Sequence, residues 1–254
     1  MGFIRAIKTI FIVIPVSLSL MHTRLTPHAS LAVFGSQGRT GIHVVNRALS
    51  DNKKVVSLVK PRHDICSTDN HIVYKGDVTN LDDVDCLYRN NKITGTIICL
   101  GGDTREVGSD MLTKGTTNII KAIYRNNASP KIAVITSIGT GNSADDPPLF
   151  FKILMKTLLK DAFIDKNNQE GLFLQKGNIG NNLEYTVVRP SGLTDDHNEL
   201  EKISVIDAGN GIISRKNVAN FCYDAIYDKL FKYKKEAVSI TGKREWKPVF
   251  ELIF

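Results

Sequence analysis

Cysteine is scarce and unpatterned in this 254-residue chain: Cys66, Cys86, Cys99 and Cys222 form no C-x-x-C pair and show no metal-ligand spacing. A disulfide scaffold and a cysteine-bound metal are thereby excluded, and the thiols fit a reduced, mostly buried state in a reducing compartment. Six scattered histidines add no ligand cluster, so no metal site is expected. Internal repeats, linkers and low-complexity tracts are missing too, which leaves a single domain as the economical reading. Acidic residues are absent before Asp51. The apolar run Ile10–Met21 follows Arg5 and Lys8 and is broken by Pro15. It is too short for a comfortable membrane span but suits a signal-peptide core. Residues 1–29 are expected to be a targeting leader or anchor, and 30–254 the folded domain. A secretory address conflicts with reduced thiols, so an organelle leader is expected, a plastid one favoured. A mitochondrial leader and a membrane anchor in the secretory pathway are the alternatives.

What is present is enough for a sizeable core: 42% of the residues are hydrophobic and 23% charged. The net charge of +7 comes from dispersed cations. Their densest group, Lys229–Lys247, fits a solvated helix end and loop better than a nucleic-acid face, and no nucleic-acid partner is expected.

The most informative stretch is Leu31–Gly41. Apolar Leu31–Phe34 predicts a short buried strand, Ile42–Leu49 predicts a helix, and Gly35, Gly38 and Gly41 lie between or at their junction. Strand, glycine turn and helix in that order open a dinucleotide-binding fold. Gly35 would permit the tight turn, Gly38 would let backbone approach a pyrophosphate, and Gly41 would let the helix pack closely. The helix N-terminus would then aim unpaired N–H groups and a positive dipole at the phosphates. The spacing is G-x-x-G-x-x-G, not the G-x-G-x-x-G of many dehydrogenases.

Strand patterns continue at Lys54–Val59, Ile72–Tyr74, Gly95–Leu100, Ile132–Ile135, Glu184–Val188 and Ala237–Ile240. Helical patterns alternate with them at Leu81–Arg89, capped by Asn80, at Met111–Arg125, at Leu149 to about Gln175, and at Val218–Phe231. This alternation predicts an α/β fold, a Rossmann-like doubly wound parallel sheet covered on both faces.

Ligands of such a sheet sit outside the carboxyl ends of its strands. Lys60 and Arg62 end the second strand where an NAD-binding protein places an acid, and Arg39 lies in the glycine loop. Cations there suit a 2′-phosphate, so the expected cofactor is NADP (NADPH). Asp77 and Val78 would flank the adenine, with Asp77 accepting from its amino group. Leu100, Gly101 and Gly102 would leave room beneath the fourth strand.

Gly35-Ser36-Gln37-Gly38-Arg39-Thr40-Gly41, Leu58-Val59-Lys60, Gly76-Asp77-Val78, Thr136-Ser137 and Val188-Arg189-Pro190-Ser191-Gly192-Leu193-Thr194-Asp195 together resemble the atypical short-chain dehydrogenase/reductase family. The nearest branch is the NAD(P)H-binding group with biliverdin reductase B (flavin reductase), NmrA-like proteins and chloroplast relatives. Ile213-Ser214-Arg215 before Val218-Ala219 matches a further family segment, and the likeness runs from about residue 30 to 242. It implies cofactor contacts from the glycine loop, Thr136, Pro190, Ser191 and Gly192, the last three closing the nicotinamide end. Classical members use a Tyr-x-x-x-Lys pair, yet no tyrosine lies between Ile138 and Glu184. Biliverdin reductase B-like members lack it too, with hydride passing to a stacked acceptor and solvent supplying the proton. Ser137 is the candidate catalytic residue, orienting nicotinamide or substrate; a strand-end hydroxyl capping local backbone is the alternative. Lys166 and Glu170 resemble a family Lys-x-x-x-Glu pair, though at i,i+4 they also fit a surface ion pair.

Two activities are compatible with this pattern. One is an NADP-dependent reductase of an aromatic or conjugated small molecule such as a flavin, tetrapyrrole or quinone. The other is a non-catalytic NADP-binding scaffold, assembly factor or redox sensor. Leu149–Lys160 is predicted as one helix with a wide apolar arc and a stripe of Lys152, Lys156 and Lys160. It fits a core helix, a cap over the nicotinamide, or a contact with a membrane or partner protein, a contact the N-terminal apolar segment could also make.

Overall fold

Successive side chains of the first strand, β1 (Ser30–Phe34), serve two different cores, because a strand turns alternate residues to opposite faces. In the computed structural model, which describes residues 29–102, 104, 108–195, 203–206 and 211–242, Leu31 and Val33 join one buried cluster while Ala32 and Phe34 join another. The expected leader lies outside the described residues, as do Lys243, Arg244 and Lys247 of the basic C-terminal group.

The remaining strands are β2 (Lys54–Val59), β3 (His71–Lys75), β4 (Ile93–Ile98), β5 (Lys131–Ile135), β6 (Glu184–Pro190), β7 (Gly192–Thr194), β8 (Ser204–Ile206), β9 (Ile212–Ser214) and β10 (Glu236–Thr241). The helices are α1 (Gly41–Ser50), α2 (Leu81–Asn90), α3 (Met111–Arg125), α4 (Leu149–Lys156), α5 (Lys160–Leu174) and α6 (Arg215–Tyr227). The main sheet has the order β3-β2-β1-β4-β5-β6-β10-β8, parallel except for β8, which runs antiparallel to β10. β7 and β9 form a separate parallel pair. The fold is therefore the expected Rossmann-like sheet, extended past β6 by two strands. β7, β8 and β9 are too short to leave a periodic signal in sequence.

Helices α1 and α6 cover one face through Val44, Ala48, Val218 and Cys222, packed on Leu31, Val33, Ile97 and Ala133. On the other face Leu87, Ile119, Ile123 and Phe173 of α2, α3 and α5 pack on Ala32, Phe34, Ile98 and Val134. Burial on both faces explains why the central strands read as apolar runs. Chain direction across the sheet reverses between β1 and β4, and that switch point fixes where a ligand crevice can open.

Three sequence expectations change. The region from Leu149 to Gln175 is two helices, with Thr157 at φ −116° and ψ −93° between them. The Thr157 hydroxyl donates to the Ile153 carbonyl oxygen at 2.9 Å, a local bond that competes with helix continuation. Lys160 thus begins a new helix and does not extend one lysine stripe. Helix α6 starts at Arg215 and ends at Tyr227, and Phe231 is a buried loop residue with φ +47°. Of the four thiols only Cys222 is buried; Cys66 is exposed and all four are free.

Candidate functional site

The glycine loop owes its shape to backbone meeting backbone. Gly35 adopts φ +79°, and a Cβ built on it would lie 2.4 Å from the Cys99 carbonyl oxygen at the end of β4. A Cβ on Gly41 would lie 2.1 Å from the Gly35 carbonyl oxygen, so the first residue of α1 must be bare for the helix to close on its own loop. Gly38 differs. Its Cβ would meet only the Gly35 carbonyl oxygen, at 3.1 Å, and the residue is exposed. The protein itself does not fill the space that Gly38 leaves open.

That space faces an uncapped helix. Thr40 precedes α1 without a side-chain cap, and the first turn holds no acid. Among the described residues the Arg39, Thr40 and Gly41 amides make no hydrogen bond. Helix α2 shows the contrast: Asn80 accepts from the Asp82 amide, and Asp82 and Asp83 occupy its first turn. A phosphate would complete α1 as Asn80 completes α2. Ser36 is buried behind the loop, and Gln37 Nε2 donates to its hydroxyl at 3.5 Å. Arg39 pairs with exposed Asp195 just past β7, and Arg215 at the start of α6 donates to the same carboxylate at 2.7 Å. Asp195 and Arg215 emerge here as loop neighbours. They are far apart in sequence, so only the fold joins them.

Beside the loop, β2 ends in half-buried Lys60, followed by exposed Arg62, which makes no ion pair among the described residues. Asp77 follows β3. Its Oδ1 accepts from the Thr79 amide and hydroxyl at 2.8 Å each, and Asp83 accepts from its amide at 2.9 Å. Burial pulls the Asp77 carboxyl upward, but the Thr79 hydrogen bonds and the charges of Lys60 and Lys114 outweigh it and hold the group below its usual range. Half of the expected adenine acceptor is thus already spent on its own turn. Half-buried Val78 is fixed from α3, where Asn118 donates to its carbonyl oxygen at 3.0 Å. Buried Leu100 packs toward Gly115, whose Cβ would come within 2.9 Å of Val78 and 3.1 Å of Leu100. Gly101 and Gly102 are exposed, with nothing within 4 Å of a Gly101 Cβ.

The end of β5 is built on a buried ion pair. Glu170 of α5 and Arg189 of β6 are 2% and 3% exposed, and they meet through Oε1 and Nη2. Glu170 Oε2 also accepts from Arg189 Nε at 3.1 Å, from Thr136 at 3.0 Å and from Thr140 at 2.7 Å. Arg189 Nη1 donates to Asn142 Oδ1 at 2.6 Å. Glu170 is therefore paired to Arg189 and not to Lys166, which removes the surface-pair alternative. Thr136, expected at the cofactor, directs its hydroxyl inward to this pair. The next residue, Ser137, is half-buried, and its hydroxyl makes no hydrogen bond among the described residues.

At the β6 end, several groups expected near the nicotinamide are committed elsewhere. The Ser191 hydroxyl donates to Thr241 at 2.9 Å, and its amide to the Ile240 carbonyl oxygen at 3.0 Å. The Gly192 amide donates to Gly211 at 3.2 Å, and the Pro190 carbonyl accepts from Ile138 at 3.1 Å. Helix α4 lies across the β5 loop without one buried residue. Its inner side touches the fold through Phe151, edge-on to Phe163 at 5.9 Å, and Met155, which covers the Cβ position of Gly139. Outside, Leu149 is 75% and Ile153 57% exposed. A cavity of about 420 Å³ lies beyond the Asn142–Asp146 segment, between Arg189, Tyr233 and Ser239.

The sequence matches the family described as NAD(P)H-binding over residues 35–229. No curated protein matches it significantly. Among solved structures it is similar to ChuY, an anaerobillin reductase from Escherichia coli O157:H7, with 19% identity, 87% of this chain and 100% of that chain covered, and TM-score 0.70. It is likewise similar to a short-chain dehydrogenase/reductase from Veillonella parvula in complex with NADP, at 15% identity, 87% and 99% coverage, and TM-score 0.70. The oxidoreductase ylbE of Lactococcus lactis aligns at 16% identity over 85% of this chain and 92% of its own, with TM-score 0.66. At such identities these likenesses concern the fold.

Two substitutions separate the roles of the glycines. Gly38→Val should leave circular dichroism and melting temperature unchanged while NADPH binding is lost in calorimetry. Gly41→Val should lower stability by about 1–3 kcal/mol through overpacking. Unaltered NADPH affinity in folded Gly38→Val would make the loop a mere turn. At the ion pair, Glu170→Ala strands a buried guanidinium and should cost about 3–5 kcal/mol in denaturant titrations. Arg189→Met added to it should restore much of that loss.

Proposed function

This chain belongs to the NAD(P)H-binding family, and we propose that it is an NADPH-dependent reductase of a planar, conjugated acceptor such as a flavin, tetrapyrrole or quinone. The observation that carries cofactor binding is the uncapped N-terminus of α1 beside the open face of Gly38. The residues there fit a dinucleotide: unpaired amides for the pyrophosphate, and no acid in the first turn to repel it. Preference for the 2′-phosphate is supported by Lys60 and Arg62 at the exit of β2 and by Arg39 in the loop. Bound NADPH would supply a hydride at the end of β5.

Ser137 offers at that end a hydroxyl uncommitted among the described residues, suited to orienting a carboxamide or an acceptor carbonyl. Its immediate neighbour is locked by Glu170, so the serine is held on rigid backbone. Without a tyrosine between Ile138 and Glu184, ordinary alcohol–ketone chemistry has no proton donor of the classical type. A conjugated acceptor spreads the incoming charge and needs less acid assistance. Helix α4 would cover the acceptor and exclude water, held by Phe151 and Met155 and free of core burial.

Purified protein should oxidise NADPH in the presence of at least one member of a panel of flavins, quinones and linear tetrapyrroles. Lys60→Ala with Arg62→Ala should weaken NADPH far more than NADH in calorimetry; equal losses would sink the 2′-phosphate assignment. Phe151→Ala should spare NADPH affinity and lower turnover. Its stability should fall by less than the roughly 3–5 kcal/mol of a core Phe→Ala change, since the ring is only half-buried. A full core loss with intact catalysis would make α4 a packing element alone.

A further inference from the structure

Single exposed apolar side chains are ordinary on a protein surface; a cluster of them is not. Of the eleven large hydrophobic side chains exposed among the described residues, four fall within Leu149–Leu158: Leu149, Phe150, Ile153 and Leu158. Leu149 and Ile153 are one turn apart and Phe150 stands beside them, so the three share the outer face of α4. Leu158, 70% exposed, follows in the break before α5. The opposite side of α4 carries Phe151 and Met155, whose contacts with Phe163 and Gly139 attach the helix to the fold. Eight residues make a helix about 12 Å long, too short to persist in water by its own hydrogen bonds. α4 therefore depends on its inner side, while its apolar outer face stands in water.

The charges beside that face are of one sign. Leu149–Lys160 holds Lys152, Lys156 and Lys160 and no acid. Lys152 and Lys156 are one turn apart along one flank of α4, and Lys160 opens α5. Among the described residues Lys156 and Lys160 make no ion pair, and Lys152 has a loose one, 3.7 Å, with fully exposed Asp145. The other acids nearby in sequence stand in different settings. Asp146 lines the cavity beyond the β5 loop, and Asp161 lies in the first turn of α5, where the helix dipole favours it.

We propose that the outer face of α4 docks on an anionic bilayer surface, with Leu149, Phe150, Ile153 and Leu158 entering the headgroup layer and the three lysines meeting lipid phosphates. A helix lying in that layer needs an apolar face directed at the acyl boundary and cations held at the level of the phosphates. Lysine suits the second part, because its apolar stem lies along the surface while the ammonium stays in water. The contact is peripheral: among the described residues no helix is long and apolar enough to cross a membrane. A second copy of the chain is a poorer occupant. A face about 12 Å long offers far less than the roughly 800 Å² per partner that a stable dimer buries. A symmetric pair would also set the same three lysines against each other. The docking is independent of the reductase reading and leaves Phe151 and Met155 on the inner side.

Full-length protein should sediment with vesicles of equimolar phosphatidylcholine and phosphatidylglycerol far better than with phosphatidylcholine alone, and less as salt is raised. The apolar run Ile10–Met21 is present in every protein compared, so the difference between wild type and variants reports on α4. Leu149→Ser with Ile153→Ser should lower the affinity for the anionic vesicles on the order of tenfold or more. Lys156→Glu with Lys160→Glu should lower it at least about twentyfold, since one lysine near an anionic surface contributes roughly fivefold. Circular dichroism and melting temperature should not change in either variant, because all four side chains are exposed. Equal sedimentation of the wild type with both vesicle compositions, none with either, or wild-type binding by the variants overturns the proposal. A mass that rises with concentration in light scattering, falls to monomer in Leu149→Ser with Ile153→Ser and comes with no vesicle binding overturns it too, and makes this face a contact between copies.

Discussion

The contact between Glu170 and Arg189 sets the geometry on which the β5 end depends. Two charges removed from water are stabilising only if nearly every polar atom around them is used. Here the carboxylate takes the guanidinium and two threonine hydroxyls, and the remaining guanidinium nitrogen reaches Asn142. Thr136, Thr140 and Asn142 of the loop after β5 are therefore all tied to one pair. Thr136 turns its hydroxyl inward, while that of its successor Ser137 makes no hydrogen bond among the described residues. Gly141 shows how tight the wrap is, since a Cβ there would lie 2.4 Å from Glu170 Oε1.

The same contact fixes the rotation of α5. With Glu170 facing β6, Asp165 and Gln169 face α3, where Asp165 supplies the cap that Asp110 does not and Gln169 donates to Thr116 at 2.9 Å. Lys166 then falls opposite the Thr136 carbonyl. α5 is thus polar on the side that is buried, with Phe163 and Phe173 as its apolar anchors. Such a helix stabilises less by area than by its hydrogen bonds, though the buried Gln169 Oε1 finds no partner among the described residues. Losing one partner costs the desolvation of the other, not merely the bond.

This polarity also explains what the sequence could and could not tell. The glycine loop, seven of the eight main-sheet strands and α3 were legible because they obey local rules: period, cap, and glycine where backbone needs room. Asn80 caps α2 as its residue type predicts. α5 carries almost no amphipathic signal, since its inner face is made of Asp165, Gln169 and Glu170, whose partners lie on α3, β5 and β6. The Lys166–Glu170 spacing suggested a surface pair, and only the fold could reveal Arg189 as the competitor. Asp195 between Arg39 and Arg215 was hidden for the same reason, with 156 residues separating it from Arg39. The break at Thr157 had a local cause, but one hydroxyl is a faint mark inside a run of leucines and lysines.

The two halves of the site are consequently built by different means. The phosphate end is made of backbone left unsatisfied: bare glycines, an uncapped helix and amides with no partner among the described residues. Such a site is incomplete without an anion, and the anion gains what the helix lacks. At the β5 end the polar groups around the Glu170–Arg189 pair are satisfied internally, whereas among the described residues the Ser137 hydroxyl makes no hydrogen bond and the Lys166 ammonium makes only one long bond. Rigid walls around a few uncommitted donors are what a reaction with little covalent help from the protein requires. In the reductase reading proposed above, the lightly attached α4 would complete the arrangement, covering the acceptor without belonging to the core that positions the site.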